Sequence, residues 1–227
     1  TLEKDNTDKV VKYVDEVKRM GYELVPPDIN KSYLVFSADT LEDDKEVVLF
    51  GMGALKGAGD VAINSIIASR EEGVFEDLSD FVSRIDSSKV NKRVVETLIK
   101  SGAFDKFGYT RKALLLQIED IVECAGKAAQ AKKQAVGSLF GDDEDMTKIE
   151  VSINDMPEYE DKEILEFEKA SLGFYVSGHP LDEFRDTFSE INYTLSSEFD
   201  TLSDGSETLL LGKIELFLRS LKILCNK

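Results

Sequence analysis

The sequence has 227 residues, 42% of them hydrophobic, which is enough for one large domain or two small ones with an apolar core. No stretch reaches the roughly 18 apolar residues of a membrane-spanning helix, and the charged beginning TLEKDNTDKV is unlike a secretory signal peptide. Two cysteines without a CxxC pair and a single histidine argue against a zinc site, and they fit a reducing, cytoplasmic environment.

The net charge of −17 is distributed unevenly along the chain. Taken alone, a strongly acidic protein is disfavoured as a nucleic-acid binder because it repels phosphate. Residues 82–133, however, contain 11 Lys and Arg against 6 Asp and Glu, a local net charge of +5. Residues 141–207 contain 4 Lys and Arg against 20 Asp and Glu, a local net charge of −16. The middle of the chain therefore remains a candidate for contact with nucleic acid.

The first part of the chain predicts a helix and then a β-hairpin. Valines recur at helical spacing within Asp8–Met20, and Gly21 is a natural end for that helix. The double proline Pro26-Pro27 fixes an extended turn. The segments Ser32–Ser37 and Glu46–Gly51 are rich in β-forming residues, and the polar LEDD between them predicts a hairpin.

Helices are predicted for most of the remaining chain, after a glycine-rich segment. Apolar residues at helical spacing predict one helix directly after the glycines and a short one over Phe75–Phe81. Longer helices are predicted over Val90–Ser101, Thr110–Lys133 and Asp161–Ala170, with Thr110 as an N-cap. The expected fold is therefore mainly α with a small β-hairpin.

The segment Leu49–Gly73, LFGMGALKGAGDVAINSIIASREEG, places four glycines within nine residues before a helical pattern. A dinucleotide-binding fingerprint would need a third glycine where Lys56 stands. A P-loop would need glycine before lysine, whereas here Lys56 precedes Gly57. Two interpretations remain, a helix-hairpin-helix motif and a plain glycine turn, and the local pattern weighs them about equally.

Leu55-Lys56-Gly57-Ala58-Gly59 matches the L-x-G-x-G hairpin of a helix-hairpin-helix motif. Glycine allows backbone N–H groups to face outward at close range. At the positive end of the following helix, such groups bind a DNA phosphate without reading a base, and Lys56 adds a charge. We expect the first glycine pair to serve the exit from a strand and the second pair to form this hairpin.

Four blocks of the sequence, in this order, resemble the bacterial replicative DNA polymerase III alpha subunits, which are C-family polymerases. They are MGYELVPPDINKS (20–32), FGMGALKGAGDVAINSIIASREEGVFEDLSDFVSRID (50–86), NKRVVETLIKSGAFDKFG (91–108) and LGFYVSGHPLDEF (172–184). The resemblance runs through nearly the whole chain. It covers the family's segment from the end of the fingers domain, through the helix-hairpin-helix module, into the clamp-binding region.

The resemblance implies contacts with the phosphate backbone of duplex DNA behind the active site. The implied DNA-binding residues are those of the hairpin, with three cationic neighbours as candidates for adjacent phosphates: Lys56, Gly57, Ala58 and Gly59, then Lys89, Lys92 and Arg93. The competing interpretation of the three cations is a solvated helix face, which for Arg93 is about equally good.

A second implied site is a short linear peptide that inserts into the ring-shaped sliding clamp. In AVGSLFGDDEDMTK, Ser138, Leu139 and Phe140 fit its last three positions, on a linker whose aliphatic and aromatic side chains bury as anchors. The family favours glutamine two residues before Ser138, where this chain has Val136, and Gln134 lies two residues earlier. The competing interpretation is an apolar pair packed against its own domain.

The resemblance also implies a DNA-directed DNA polymerase as the parent protein. Its palm needs clustered aspartates that hold two magnesium ions, and no D-x-D-x-D block occurs here, so we expect this fragment to be inactive alone, with no cofactor of its own. His179 before Pro180 has no evident nucleophile or metal partner, so we expect it to cap or pack, with Asp182 as a nearby carboxylate. The expected location is the cytoplasmic replisome, with other holoenzyme subunits as partners.

The expected organisation has five parts. They are the end of the fingers (1–44), the helix-hairpin-helix module (45–133), a linker with the clamp-binding peptide (134–160), a helical segment with the SGHP block (161–205) and the truncated start of an OB domain, with one incomplete strand (206–227). Two alternatives stay open, a stand-alone helix-hairpin-helix protein that binds DNA structures and an acidic protein-interaction module.

Overall fold

The computed structural model describes residues 7–41, 44–136 and 149–182, with residues 194, 202, 203, 205, 208 and 209. The chain divides into two compact units, Thr1–Ser177 and Gly178–Lys227. In the described residues, every helix and strand belongs to the first unit. The described part of the second unit includes a backbone hydrogen bond from Thr194 N–H to the Leu209 carbonyl, with N and O 3.0 Å apart.

The chain begins with helix α1 and a small three-stranded sheet. Helix α1 spans Thr7–Arg19, and the strands are β1 (Glu23–Val25), β2 (Ser37–Thr40) and β3 (Glu46–Leu49). Strand β3 lies in the middle, antiparallel to β2 and parallel to β1. The predicted hairpin is therefore present, but its first strand begins at Ser37, where the expectation placed the end.

Six α-helices follow in the residues that the structure describes, and polar caps explain where several of them begin. They are α2 (Asp60–Arg70), α3 (Leu78–Arg84), α4 (Lys92–Lys100), α5 (Arg111–Leu116), α6 (Ile118–Val136) and α7 (Asp161–Leu172), with 3-10 turns at Met52–Ala54 and Asp105–Phe107. The side chains of Asp77, Asn91 and Thr110 accept N–H hydrogen bonds at the starts of α3, α4 and α5. The prediction of Thr110 as an N-cap is confirmed.

The core lies among α2, α3, α4 and α6 and contains a chain of aromatic rings. Phe75, Phe81 and Phe104 are buried and pack edge to face, with ring centroids 5.1 and 4.9 Å apart. Ile63 and Ile66 of α2 are fully buried in the same cluster. This packing fixes the start of α2, and therefore the glycine hairpin, relative to α4.

The single helix predicted over Thr110–Lys133 is wrong, because the chain breaks at Gln117 between α5 and α6. The buried side-chain amide of Gln117 forms hydrogen bonds with Asn154 of a later segment. Its oxygen accepts from the backbone and side-chain nitrogens of Asn154 at 2.8 and 2.9 Å, and its nitrogen donates to the Asn154 carbonyl at 3.0 Å. The helix boundary therefore coincides with a contact to a residue 37 positions later in the chain.

Residues 149–160, called here the docked segment, run along the helical core without regular secondary structure. Val151 is buried, and its N–H donates to the Ser79 hydroxyl at 2.9 Å. Thr110 donates to the Met156 carbonyl at 3.0 Å, and the Glu158 carboxylate accepts the Arg111 N–H at 2.7 Å. These contacts from start to end of the segment hold it against α3 and α5 and lead the chain into α7.

Candidate nucleic-acid interface

The two glycine pairs of the opening segment have different roles. A Cβ atom on Gly51 would lie 2.5 Å from the backbone nitrogen of Phe36, and one on Gly53 would lie 2.6 Å from the Leu34 carbonyl oxygen. These glycines allow the backbone around 33–36 to pack directly on the turn after β3. The first pair is therefore structural, and it directs the chain into the hairpin.

The second pair forms a tight turn that leads into α2. Gly57 has a φ of +105°, the left-handed region that favours glycine, whereas Gly59 is the extended N-cap of the helix. Leu55 and Ala58 are buried and anchor the turn, while Lys56 is exposed. The turn thus has an inner apolar side and an outer side that presents the lysine and the two glycines.

The hairpin amides do not all face outward, which corrects the expectation from the sequence. The Lys56 N–H donates to the Ser171 carbonyl of α7 at 2.8 Å, and the Ala58 N–H donates to the Leu55 carbonyl at 3.3 Å. In the first turn of α2, the Ala62 N–H also donates, to the Gly59 carbonyl at 3.0 Å. Among the described residues, the N–H groups of Gly57 and Gly59, at the start of α2, are the hairpin donors without such a bond, and they remain for an anion. Asp60 places a carboxylate in that same turn.

Arg93 lies directly against the hairpin. Because Gly57 has no side chain, Arg93 Nε can lie where a Cβ atom on Gly57 would be only 3.3 Å away. Arg93 stands in the first turn of α4, which contains Lys92 and no acidic residue. Two cations at the N-terminus of a helix destabilise the helix, because they lie at the positive end of its dipole. A bound anion would reverse this effect. The structure therefore brings Arg93 against Gly57, the residue that follows the exposed Lys56.

Lys89 and Lys92 do not contact the hairpin in this way, because each forms an ion pair with a carboxylate elsewhere. Lys89 Nζ lies 2.9 Å from an Asp86 carboxylate oxygen in the turn before α4. Lys92 pairs with Glu119 in the first turn of α6. Lys92, Glu96 and Lys100 lie on one side of α4. That side faces α5, α6 and α7 and not the glycine hairpin. Both lysine side chains remain about half exposed, at 48% and 47%.

The turn between α3 and α4 forms a second helix-turn-helix pair, which the sequence analysis missed. The N–H groups of Lys89 and Val90 both donate to the Asp86 carbonyl, at 3.0 and 2.9 Å. The Asp86 carboxylate accepts from the Ser88 hydroxyl and N–H and from Lys89, and these bonds lower its pKa to about 2. This turn contains no glycine, so the signal was the polar run Asp86–Asn91 between two helical patterns.

The predicted clamp-binding residues are only partly described. Gln134 is exposed on the last turn of α6. Ser138, Leu139 and Phe140 lie outside the described residues. The predicted start of an OB domain, 206–227, also lies outside them except for Thr208 and Leu209.

The SGHP block begins in a turn held by a buried carboxylate of α7. Glu168 is fully buried, and one of its oxygens accepts the N–H groups of Val176 and Ser177 at 2.8 and 3.0 Å. Its other oxygen lies 3.8 Å from a nitrogen of the buried Arg111 guanidinium. In the second unit, His179 Nδ1 accepts the Leu181 N–H at 3.2 Å, which is a turn-forming role. These contacts support structural roles for the block.

The described residues contain no group of three or more His, Cys, Asp or Glu side chains arranged to hold a metal ion. Within the same ranges, none of the helices combines the length and the apolar character needed to cross a membrane.

Comparison with known proteins places these features in a family context. A family model described as a helix-hairpin-helix motif matches residues 21–114. The DNA polymerase III alpha subunit of Campylobacter jejuni is 43% identical over 220 residues, which is 96% of this chain and 18% of that protein. The subunits of Helicobacter pylori (strain 26695) and Vibrio cholerae are 40% and 41% identical over 94% and 81% of this chain, which correspond to 18% and 16% of those proteins.

Proposed function

Because the chain is homologous to one segment of the DNA polymerase III alpha subunits and contains their helix-hairpin-helix motif, we propose that it holds duplex DNA for such a polymerase. The parent activity in this proposal is DNA-directed DNA synthesis in chromosome replication. Magnesium and the catalytic aspartates would belong to a part of the parent outside this chain. The chain would act in the cytoplasmic replisome beside other holoenzyme subunits, without nucleotide transfer of its own.

The observation that carries the proposal is the position of Arg93 on the glycine hairpin. It places a guanidinium against Gly57, which stands between the exposed Lys56 and the start of α2, and these groups make up the proposed patch. Backbone donors and flexible cations recognise phosphates, which every DNA sequence shares. The proposed binding is therefore independent of sequence and weakens as salt rises. The patch works against a net charge of −17, so its contribution depends on short-range contact.

A salt titration of duplex binding tests this function. A fluorescently labelled duplex of about 20 base pairs would be titrated with the chain at increasing salt, and anisotropy would give the affinity. The logarithm of the affinity should fall linearly with the logarithm of the salt concentration. Lys56→Gln and Arg93→Gln should each lower the affinity and reduce the magnitude of that slope by about one.

A matched control removes the same charge elsewhere. Lys127 is exposed on α6, where its Nζ lies 2.7 Å from a Glu123 carboxylate oxygen. It stands eight residues after Glu119, the α6 residue that pairs with Lys92. Lys127→Gln should change affinity only through the net charge, and two duplexes of unrelated sequence should bind alike. If Lys56→Gln and Arg93→Gln behave like this control, the hairpin is not the DNA-binding surface.

We also propose that the chain tethers the polymerase to the sliding clamp through Gln134, Ser138, Leu139 and Phe140. The support is the sequence pattern, together with the exposure of Gln134 at the end of α6. An aliphatic and an aromatic anchor on a linker would keep the enzyme on DNA between nucleotide additions, which is processivity.

A binding experiment with purified clamp tests the tether. Replacing Leu139 and Phe140 together with alanine should abolish binding or weaken it by at least about tenfold, since anchor residues carry most of the energy of such contacts. Leu116→Ala is the control, because Leu116 is an apolar side chain 61% exposed on α5. Clamp binding that survives the double substitution would place the tether elsewhere.

A further inference from the structure

The resemblance implies four cationic side chains as DNA contacts, and the structure separates them. Lys56 and Arg93 lie at the hairpin, whereas Lys89 lies in the turn before α4 and Lys92 stands next to Arg93 in the first turn of α4, on the side that faces α5 to α7. No ion pair between described residues involves Lys56 or Arg93, whereas Lys89 and Lys92 each pair with a carboxylate. A DNA phosphate can therefore reach the first two directly. It must compete with a protein carboxylate for the other two.

The two competing carboxylates are held very differently. Asp86 also accepts both the hydroxyl and the N–H of Ser88, so its carboxylate is part of the turn before α4. Glu119 is 75% exposed in the first turn of α6, and Lys92 is the partner described for it. Glu119 can release its lysine without any loss of secondary structure, and Asp86 cannot.

We propose that Glu119 is a built-in competitor of DNA phosphate for Lys92 and limits the affinity of the interface for duplex DNA. This inference rests on the proposed function of the hairpin. A duplex that engages Lys92 must break the pair, and it then has the freed Glu119 carboxylate close to its phosphates. An exposed pair of this kind is weak, so it lowers affinity without preventing binding. Limited affinity suits a surface that must move along DNA after each nucleotide addition.

The test compares Glu119→Gln with a control on the same helix. Glu123→Gln changes the net charge equally, and Glu123 pairs with Lys127 on α6 itself. In the anisotropy titration at low salt, Glu119→Gln should bind duplex DNA about two- to fivefold more tightly than Glu123→Gln. The difference should disappear as salt rises, because salt screens exposed charges. Damage to the fold would lower affinity and cannot produce this gain.

A double substitution identifies the partner. On a Lys92→Gln background, Glu119→Gln should lose its advantage over Glu123→Gln, since the contested cation is gone. Equal affinities of the two single variants, or a gain that persists without Lys92, would overturn the inference. The proposed function fails separately, if the unmodified chain does not bind duplex DNA or if Arg93→Gln has no effect.

Discussion

Replacing Gly57 with alanine should destabilise the hairpin, because its backbone and its neighbours both exclude a side chain. Its φ of +105° strains an L-residue by about 1–2 kcal/mol. A Cβ atom would lie 3.1 Å from the Thr97 hydroxyl oxygen, closer than ordinary van der Waals contact, and Thr97 is buried. Alanine also restricts the unfolded chain, which offsets about 0.4–1 kcal/mol. The strain less this offset is at most about 1.6 kcal/mol, and the close contact with Thr97 adds to it. We therefore expect a net loss of about 1–2 kcal/mol in the free energy of unfolding.

Urea and thermal denaturation followed by circular dichroism measure this loss, which should lower Tm by roughly 2–8 °C. Gly59→Ala is the matched control two residues later. Gly59 has a φ of −75°, and a Cβ atom there would meet nothing within 4 Å. That variant should stay within about 0.5 kcal/mol of the unmodified chain. Equal stability of the two variants would refute the assignment of a left-handed, crowded turn at Gly57.

Three other changes test contacts around the interface. Arg111→Lys should cost roughly 2–4 kcal/mol in urea denaturation, because a buried lysine cannot reproduce the two guanidinium bonds to Asp105 at 3.2 and 2.8 Å. Gln117→Leu should speed amide hydrogen exchange in the docked segment more than in α4, because Asn154 loses its partners; uniform exchange would contradict this. The lowered pKa of Asp86 contributes stability above about pH 4 that is lost as pH falls toward 2, and Asp86→Asn should remove this dependence, although solvent screening keeps it small.

Much of the helical framework was predictable because local patterns determine it. The apolar spacing predicts a helix directly after the glycines, where α2 lies, and the helix predicted over 90–101 is within two residues of the bounds of α4; Thr110 caps as expected. The glycine hairpin was recognisable because only glycine tolerates the φ of Gly57. These features depend on residues close together in the sequence.

The features that the sequence did not predict depend on distant partners. At the break, Gln117 bonds Asn154, 37 residues later, and the Lys56 N–H bonds the Ser171 carbonyl, 115 residues later. The third strand forms because Glu23–Val25 pairs in parallel with β3. A hairpin pattern predicts only the antiparallel pairing of its own two strands. It was also not predictable which cation contacts the hairpin, because Lys92 and Arg93 are adjacent in sequence. In the structure Arg93 lies against Gly57, whereas Lys92 faces α5, α6 and α7.

Helix α7 belongs to the proposed interface although it lies far from the hairpin in sequence. Its Ser171 carbonyl holds the hairpin, and its Glu168 holds the turn at 176–177 near the buried Arg111. The chain reaches α7 through the docked segment, and both α6 and the docked segment belong to the same compact unit. Phe140 stands four residues after Val136, and its Cα can lie at most about 14 Å from that residue. In the proposed function, a clamp bound at Phe140 would therefore lie near the end of α6, which belongs to the same unit as the hairpin proposed to bind DNA.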